Sequence, residues 1–222
     1  MLPLIKELMK DEQQEVRKGG IEAAVKFIEV LGADSINGLY ASIKACAEDT
    51  KWRVRLTLTQ CLIDLAVRTQ NSDMFAKYLE PLILNYLKDR VSAIRSAAIE
   101  RLPDLCKALG SNWINSFLTK LSDIVQKDPC FHFKIAAIYS LRELCLLPGT
   151  DAYLEKGLNL IMTVSKEPVA NIREVCVKVE RDIGLRCEKP AVREAIKKHI
   201  GSLAEDPDLE VRITVSDVLA RF

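Results

Sequence analysis

The sequence repeats a short pattern six times at a nearly constant spacing. In each copy an acidic residue is followed by an apolar residue five positions later and by a cation six positions later. Successive copies start 38, 40, 39, 39 and 39 residues apart. Six matches in register identify an internal repeat, which constrains the fold more than any other feature. The copies are Asp11…Val16-Arg17, Asp49…Val54-Arg55, Asp89…Ile94-Arg95, Asp128…Phe133-Lys134, Glu167…Ile172-Arg173 and Asp206…Val211-Arg212.

Amphipathic stretches flank the pattern in each copy. Before Asp89, apolar residues from Tyr78 to Leu87 recur at i, i+1, i+4, i+5, i+8 and i+9, which is one face of a helix. After it, a second apolar series from Ile94 to Leu105 has the same helical spacing. Each repeat is therefore predicted to be a helix A, a turn that contains the acidic residue, and a helix B.

Units of this kind bury their apolar faces only by stacking on one another. A period near 39 residues lies closer to HEAT and armadillo repeats, at roughly 40–47, than to the 33–34 of ankyrin and tetratricopeptide repeats. The sequence predicts an all-α HEAT-repeat superhelix (solenoid). Since helix A begins at Leu2 with no polar repeat before it, we expect the chain to be the C-terminal part of a longer array. The predicted repeats within this single array are 1–32, 33–70, 71–110, 111–149, 150–188 and 189–222.

The breaks between repeats carry loop and capping residues. Gly32 and Gly110 are predicted to take the left-handed position after helix B. Four residues are candidate N-caps of the next helix A: Ser35, Ser72, Ser111 and Asp151.

The acidic residue and the cation of the pattern are predicted to hold neighbouring repeats in register. The acidic side chain lies close to the N-terminus of helix B, where it can accept backbone N–H bonds. In a stack of equivalent units, each cation is expected to reach the acidic residue of a neighbouring repeat. The twelve residues of the six copies would then form a ladder along one edge of the array.

Composition excludes several classes of function. Lys and Arg number 32 against 31 Asp and Glu, so the net charge of +1 gives no bulk electrostatic attraction to nucleic acid. Mean hydropathy is +0.05 and no charge-free apolar run reaches 18 residues, so no membrane span is predicted. The seven cysteines are odd in number and form no C-x-x-C pair, which is typical of buried free thiols in a reducing compartment.

No catalytic motif is present, and no enzyme activity, cofactor or metal site is predicted. The two histidines lie in different repeats. His132 is expected in a turn, and His199 is expected on a polar face beside Lys197 and Lys198. Neither is predicted to act as a metal ligand or in acid–base catalysis.

The variable middles of the turns are the candidate binding residues. Stacking would set the turns side by side along one ridge, where Trp52, Val91, Phe131 and Val169 place apolar groups. Exposed aromatic and Arg side chains often carry binding energy at protein interfaces. A structural alternative remains open: each aromatic ring packs sideways on the neighbouring turn, and Lys51 and Arg53 beside Trp52 are solvated cations.

Several segments match one family in order and spacing. They are Leu2–Glu12, Ala47–Leu56, Asp89–Arg95, Leu109–Trp113 and Pro168–Arg173. Through them the chain resembles the C-terminal repeats of the scaffold (A) subunit of serine/threonine protein phosphatase 2A, and the resemblance covers all six repeats.

This resemblance implies a non-catalytic scaffold that assembles a phosphatase. The turns would hold the phosphatase catalytic subunit, while a variable regulatory subunit would bind mainly N-terminal repeats that lie outside this chain. A cytoplasmic location, extending to the nucleus, is also implied, with no nucleic acid or membrane as partner. The implied contact residues are Lys51, Trp52, Arg53 and Val169, and residues at equivalent turn positions are Arg90, Val91, Phe131, Asn171 and Leu209.

Two other readings remain open from sequence alone. A HEAT-repeat transport or assembly factor would bind a protein cargo on its concave face, and mutations on helix B would then weaken binding. A HEAT-like glycosylase would need a basic concave surface and a catalytic acid, and the balanced charge argues against it.

Overall fold

The computed structural model describes residues 1–148 and 151–222, with the backbone alone for Ser72, Asp151 and Ala152. Every regular element within these residues is helical, which confirms the predicted all-α class. In the described part of the chain, no helix combines the length and apolarity that a bilayer-spanning segment needs. The chain divides into two compact units, Met1–Trp113 and Ile114–Phe222.

The first unit alternates short and long helices in the predicted manner. Its helices α1 to α7 are Leu2–Leu8, Gln14–Leu31, Ile36–Ala47, Trp52–Thr69, Ser72–Met74, Glu80–Leu87 and Ser92–Glu100, with a 3-10 turn at Ala33–Ser35 and a π-helical segment at Phe75–Leu79. Helices α2, α4 and α7 are the B helices and pack on one another in that order. Helices α1, α3 and α6 precede them as A helices and pack beside them.

Helix α8 (Leu102–Lys127) runs from the first unit into the second and is broken at Gly110, where φ is +76°. Gly32, after α2, also has a positive φ of +91°. Both glycines therefore adopt the positive-φ backbone that was predicted at these repeat boundaries. Gln70, after α4, takes a left-handed conformation with φ of +47°, which its sequence did not indicate.

The second unit contains the end of α8 and five further helices. These are α9 to α13, at Phe131–Cys145, Asp151–Val164, Ala170–Arg186, Pro190–Gly201 and Leu209–Leu219. The B helices α9, α11 and α13 pack in order, while α10 lies against α9 and α11, and α12 lies against α11 and α13.

The capping predictions are mixed. Ser35 precedes α3 but makes no side-chain cap bond, because its hydroxyl donates to Gly32 O at 2.7 Å. Ser111 lies inside α8, directly after the break at Gly110. The side chains of Ser72 and Asp151 lie outside the described residues, as does the predicted repeat boundary at 149–150. The six repeat boundaries remain a prediction.

In four of the repeats the apolar residue of the pattern anchors helix B in the core, whereas Val16 and Phe133 are only half-buried. Val54, Ile94, Ile172 and Val211 are fully or almost fully buried. Each is the third or fourth residue of its helix, one position before the patterned cation. Burying a branched aliphatic side chain contributes on the order of 1.5–3 kcal/mol. The seven-residue pattern therefore places one side chain in the core and the next one, the cation, on the first turn of helix B.

Two adjacent glycines in α2 occupy very different surroundings. A Cβ on Gly20 would lie 2.8 Å from Met9 N and 2.9 Å from Leu8 C, so the absence of a side chain allows α1 to approach α2. A Cβ on Gly19 would meet nothing within 4 Å.

We predict opposite effects from alanine at these two positions. Gly20→Ala should lower the free energy of unfolding by about 1–3 kcal/mol, because backbone atoms must move to admit the methyl group. Gly19→Ala should raise it by about 0.4–1 kcal/mol through the lower entropy of the unfolded chain. Urea unfolding of the two variants checks this, and a Gly20→Ala protein as stable as Gly19→Ala would contradict the close approach.

Candidate functional site

In five of the patterns an aspartate holds the turn before helix B. Its carboxylate accepts a hydrogen bond from the backbone N–H two residues later, a local arrangement that fixes a tight turn. The residue that donates this bond is the N-cap of helix B and has an extended backbone. The bonds are Gln13 N to Asp11 at 2.7 Å, Lys51 N to Asp49 at 2.8 Å, Val91 N to Asp89 at 2.8 Å, Cys130 N to Asp128 at 3.0 Å and Asp208 N to Asp206 at 2.9 Å.

The patterned arginines close the same turn from the other side. In five repeats the Nη1 atom donates to the backbone carbonyl of the acidic residue six positions earlier. The five donors are Arg17 at 2.7 Å, Arg55 at 2.6 Å, Arg95 at 2.7 Å, Arg173 at 2.9 Å and Arg212 at 2.6 Å. Since the guanidinium is then fixed, its remaining N–H groups face in a defined direction.

In Arg17, Arg55 and Arg173, those remaining groups reach the acidic residue of the next repeat. In the first unit, Arg17 binds Asp49 through Nε at 2.6 Å and Nη2 at 3.1 Å, and Arg55 binds Asp89 at 2.7 and 2.9 Å. Bidentate pairs of this kind are short, charge-assisted and directional. The structure thus brings together Arg17 with Asp49 and Arg55 with Asp89, as the ladder hypothesis requires.

The second unit contains two further pairs. Arg173 binds Asp206 at 2.8 and 2.7 Å, and Lys134 binds Glu167 through a single contact of 2.8 Å. The hydrogen bond from Arg173 outweighs desolvation and lowers the pKa of Asp206 below its ordinary value. Stability from this pair is therefore present above the ordinary aspartate pKa and is lost as the pH falls through the lowered one.

The candidate contact residues occupy four successive positions on these framed turns. Lys51, Val91 and Val169 are N-caps, and Trp52, Phe131 and Leu209 are the first residues of their helices. Arg53 and Asn171 are the second residues of α4 and α11, and Arg90 directly precedes Val91. Every candidate lies between the acidic residue and the buried apolar residue of its pattern.

The second turn carries a half-exposed aromatic ring with free cations around it. The Arg53 guanidinium lies 4.6 Å from the centroid of the Trp52 ring, a cation–π arrangement. Trp52 is partly buried, while Lys51 and Arg53 are exposed. Within the described residues, neither cation forms an ion pair, and the same holds for the exposed Arg90 of the next turn.

The turns of the second unit present mainly apolar groups. Val169 is 39% exposed and Leu209 is 58% exposed. The Phe131 ring is half-buried and lies 3.9 Å, centroid to centroid, from the ring of His132 beside it. At the sixth turn the Asp208 side chain caps α13 by accepting bonds from Glu210 N and Val211 N.

The expectation for His199 is wrong. It does not lie on a polar face, because it is half-buried between Glu180 Oε2, 2.9 Å from Nδ1, and Ser165 Oγ, 3.1 Å from Nε2. The three residues are separated by 19 and 34 positions in sequence. No short motif connects them, and the neighbouring Lys197 and Lys198 hide the buried character of the imidazole.

The described residues contain no group of three or more His, Cys, Asp or Glu side chains that could hold a metal ion. All seven cysteines are free, and four of them are buried. Burial raises the pKa of Cys61 to about 11 and that of Cys106 to about 12, so these thiols are poor nucleophiles at neutral pH.

Comparison with known proteins places the chain among helical-repeat proteins. No protein-family model matches it. It is 24% identical over 232 residues to serine/threonine-protein phosphatase 4 regulatory subunit 1 of Mus musculus, which covers 97% of this chain and 24% of the relative. The eIF-2-alpha kinase activator GCN1 of Saccharomyces cerevisiae is 24% identical over 157 residues, which is 69% of this chain and 6% of that protein. The chain thus spans about a quarter of the length of the phosphatase relative.

Solved structures agree on the fold. The MAST/Orbit N-terminal domain superposes with a TM-score of 0.63 at 12% identity, over 98% of this chain and 95% of that one. A structure described as the basis of microtubule plus end tracking by XMAP215, CLIP-170 and EB1 superposes with a TM-score of 0.59 at 15% identity, over 98% of this chain and 89% of that one. At such identity the likeness concerns the fold alone. The chain has a HEAT/armadillo-like helical-repeat fold with weak similarity to a phosphatase regulatory subunit.

We predict that replacing two arginines of α4 by leucine lowers the free energy of unfolding by very different amounts. Arg55→Leu should lower the free energy of unfolding by about 3 kcal/mol, because it leaves the Asp89 carboxylate and the Asp49 carbonyl without their partner. Arg68→Leu removes an exposed pair with Glu29 and should cost less than about 1 kcal/mol. Urea unfolding measures both, and equal losses would show that the buried pair does not hold the repeats together.

Proposed function

We propose that this chain is a non-catalytic scaffold that binds the catalytic subunit of a protein phosphatase 2A-type serine/threonine phosphatase through its intra-repeat turns. The observation that carries the proposal is the Lys51-Trp52-Arg53 segment, a partly exposed indole between two unpaired cations on a rigid turn. Weak similarity along nearly the whole chain to a phosphatase 4 regulatory subunit supports this class of partner.

The turn is built to bind at a low entropic cost. The Asp49 carboxylate accepts from Lys51 N at 2.8 Å and the Arg55 guanidinium donates to Asp49 O at 2.6 Å, so both bonds hold the backbone directly before Trp52. Because this backbone is already ordered, binding orders little beyond the side chains. The indole would enter an apolar pocket of the partner, and the exposed cations Lys51, Arg53 and Arg90 would pair with acidic groups around that pocket.

The turns of the second unit would add apolar contact. Val169 and Leu209 occupy neighbouring positions of the fifth and sixth turns and expose 39% and 58% of their surface. Asn171, exposed on the first turn of α11, offers hydrogen-bonding groups beside Val169. These apolar side chains would give the second unit a contact surface of its own.

A protein cargo bound on the helix B surfaces is the competing function. The similarity to GCN1 covers 69% of the chain and gives a second relative, a kinase activator with no phosphatase in its name. The two functions place the decisive residues differently: in the turns for the phosphatase scaffold, and along the exposed faces of α2, α4 and α7 for the cargo carrier.

Removal of the second turn's side chains tests the proposal. Trp52→Ala/Arg53→Ala should weaken capture of a purified phosphatase 2A-type catalytic subunit by about 30-fold or more, because the anchor and a paired cation are lost together. The measurement is titration of immobilised chain with catalytic subunit, with helical circular dichroism as the check of folding.

Gln60→Ala is the matched control. Gln60 is exposed on the same helix, α4, two turns after Trp52. The control should bind as the parent does. Unchanged binding by the double variant, or a larger loss in Gln60→Ala, would refute the assignment of the turns as the binding site.

A further inference from the structure

Three side chains from three helical segments meet at the junction of the fifth and sixth repeats. Ser165 directly follows α10, Glu180 lies on α11 and His199 lies on α12. His199 Nδ1 is 2.9 Å from Glu180 Oε2, and His199 Nε2 is 3.1 Å from Ser165 Oγ. The imidazole of the sixth repeat therefore bridges both helices of the fifth, at a point separate from the Arg173–Asp206 pair.

The carboxylate in this cluster is fully buried. The Glu180 side chain has no exposed surface, and its second oxygen, Oε1, has no hydrogen-bond partner. Ser165 is also buried, and the His199 side chain retains 19% exposure. The ionised form of a buried carboxyl group is unfavourable when one of its oxygens has no hydrogen-bond partner. Burial accordingly raises the pKa of Glu180, and the hydrogen bond from His199 offsets only part of the rise.

The hydrogen-bond directions show how many protons the cluster holds. Ser165 donates its single hydroxyl proton to Met162 O at 2.7 Å. In the tautomer that leaves this oxygen as the acceptor for His199, Nε2 carries a proton. The contact between Nδ1 and Glu180 Oε2 needs one more proton, carried either by the imidazole or by the carboxyl group. Without it, a lone pair on Nδ1 would face a carboxylate oxygen at 2.9 Å.

We propose that this Ser165–His199–Glu180 cluster is a proton-dependent lock that holds the sixth repeat on the fifth. One shared proton between Glu180 and His199 closes the lock. Loss of that proton leaves a buried anion beside a repelling lone pair, and α12 then separates more readily from α11.

Other charged groups do not substitute for the shared proton. His199 is the one charged group among the described residues that acts on the Glu180 carboxylate, and the nearby Cys176 thiol on α11 stays protonated because burial raises its pKa. Among the described side chains of α9, α10, α12 and α13, the acidic and basic ones other than His199 are paired elsewhere or exposed. Three of the cations are bonded elsewhere: Lys134 to Glu167, Arg142 to Glu143 and Asp182, and Arg212 to the backbone oxygen of Asp206. The exposed side chains are those of His132, Glu155, Lys156, Arg193, Glu194, Lys197, Lys198, Glu210 and Asp217.

The direction of the pH dependence follows from proton counting. In an unfolded chain, histidine releases its proton near about pH 6.5 and glutamate near about pH 4.3. Between these values the folded and unfolded states each hold one proton, so the cluster adds no pH dependence there. Above about pH 6.5 the folded state keeps a proton that the unfolded state has lost, and stability falls as the pH rises.

Glu180→Gln separates the shared proton from the packing, because the amide can donate to Nδ1 without titrating. We expect the folding equilibrium constant of the parent, relative to that of Glu180→Gln, to fall by up to about tenfold per pH unit between about pH 7 and pH 9. Urea unfolding across this range measures the difference. His132→Gln, which removes the exposed histidine, should leave the slope of the parent unchanged.

A second measurement keeps the test decisive if Glu180→Gln does not fold. Side-chain nitrogen resonances of His199 in the parent should stay constant between about pH 6 and pH 8, the range in which a histidine of an unfolded chain loses its proton. Equal pH dependence of stability in the parent and Glu180→Gln, or nitrogen resonances of His199 that shift across this pH range, would overturn the proposal.

Discussion

One carboxylate holds the turn of a repeat and also ties that repeat to the previous one. The Asp49 carboxylate accepts a hydrogen bond from Lys51 N in its own turn. It also accepts hydrogen bonds from Nε and Nη2 of Arg17 in the repeat before. Asp89 and Asp206 do the same in their repeats. Because a bidentate pair is directional, a shift of one helix relative to the next would break the pair and the turn together. The apolar faces supply most of the stabilising energy, and these pairs fix the register in which the faces meet.

Within the seven residues of the pattern, some positions hold the fold and the others are available for binding. The first, sixth and seventh positions of each pattern are the acidic residue, the apolar core residue and the cation. The four positions between them differ from repeat to repeat, and in the sixth repeat one of them, Asp208, also caps the helix that follows. Trp52 and Arg53 in the second turn, and Val169 and Asn171 in the fifth, occupy such variable positions.

Much of this could be predicted from sequence because the signals are local or periodic. Helical spacing predicted the two-helix repeats, and the six-residue offset between Asp49 and Arg55 placed the cation on the first turn of helix B. The positive φ of Gly32 and Gly110 was predictable for the same reason, since a glycine after an apolar helical run is a local signal.

Features that depend on the packing of distant segments could not be predicted. The close approach of α1 to Gly20, the stacking of Arg53 on Trp52 and the burial of Glu180 against His199 each follow from how helices meet. Glu180 lies in the polar-looking segment Lys178-Val179-Glu180-Arg181-Asp182, where sequence alone indicates a solvated face. The lysines beside His199 misled the interpretation in the same way.

The central claim is that the framed turns, and not the helix B surfaces, receive a phosphatase catalytic subunit. Hydrogen exchange of the full chain, measured with and without a saturating phosphatase 2A-type catalytic subunit, tests it most directly. The account predicts added protection of backbone amides at residues 50–54, 90–93 and 168–172, with the later turns of α2, α4 and α7 unchanged. Protection confined to those later turns, or an exchange pattern that the catalytic subunit leaves unaltered, would contradict it.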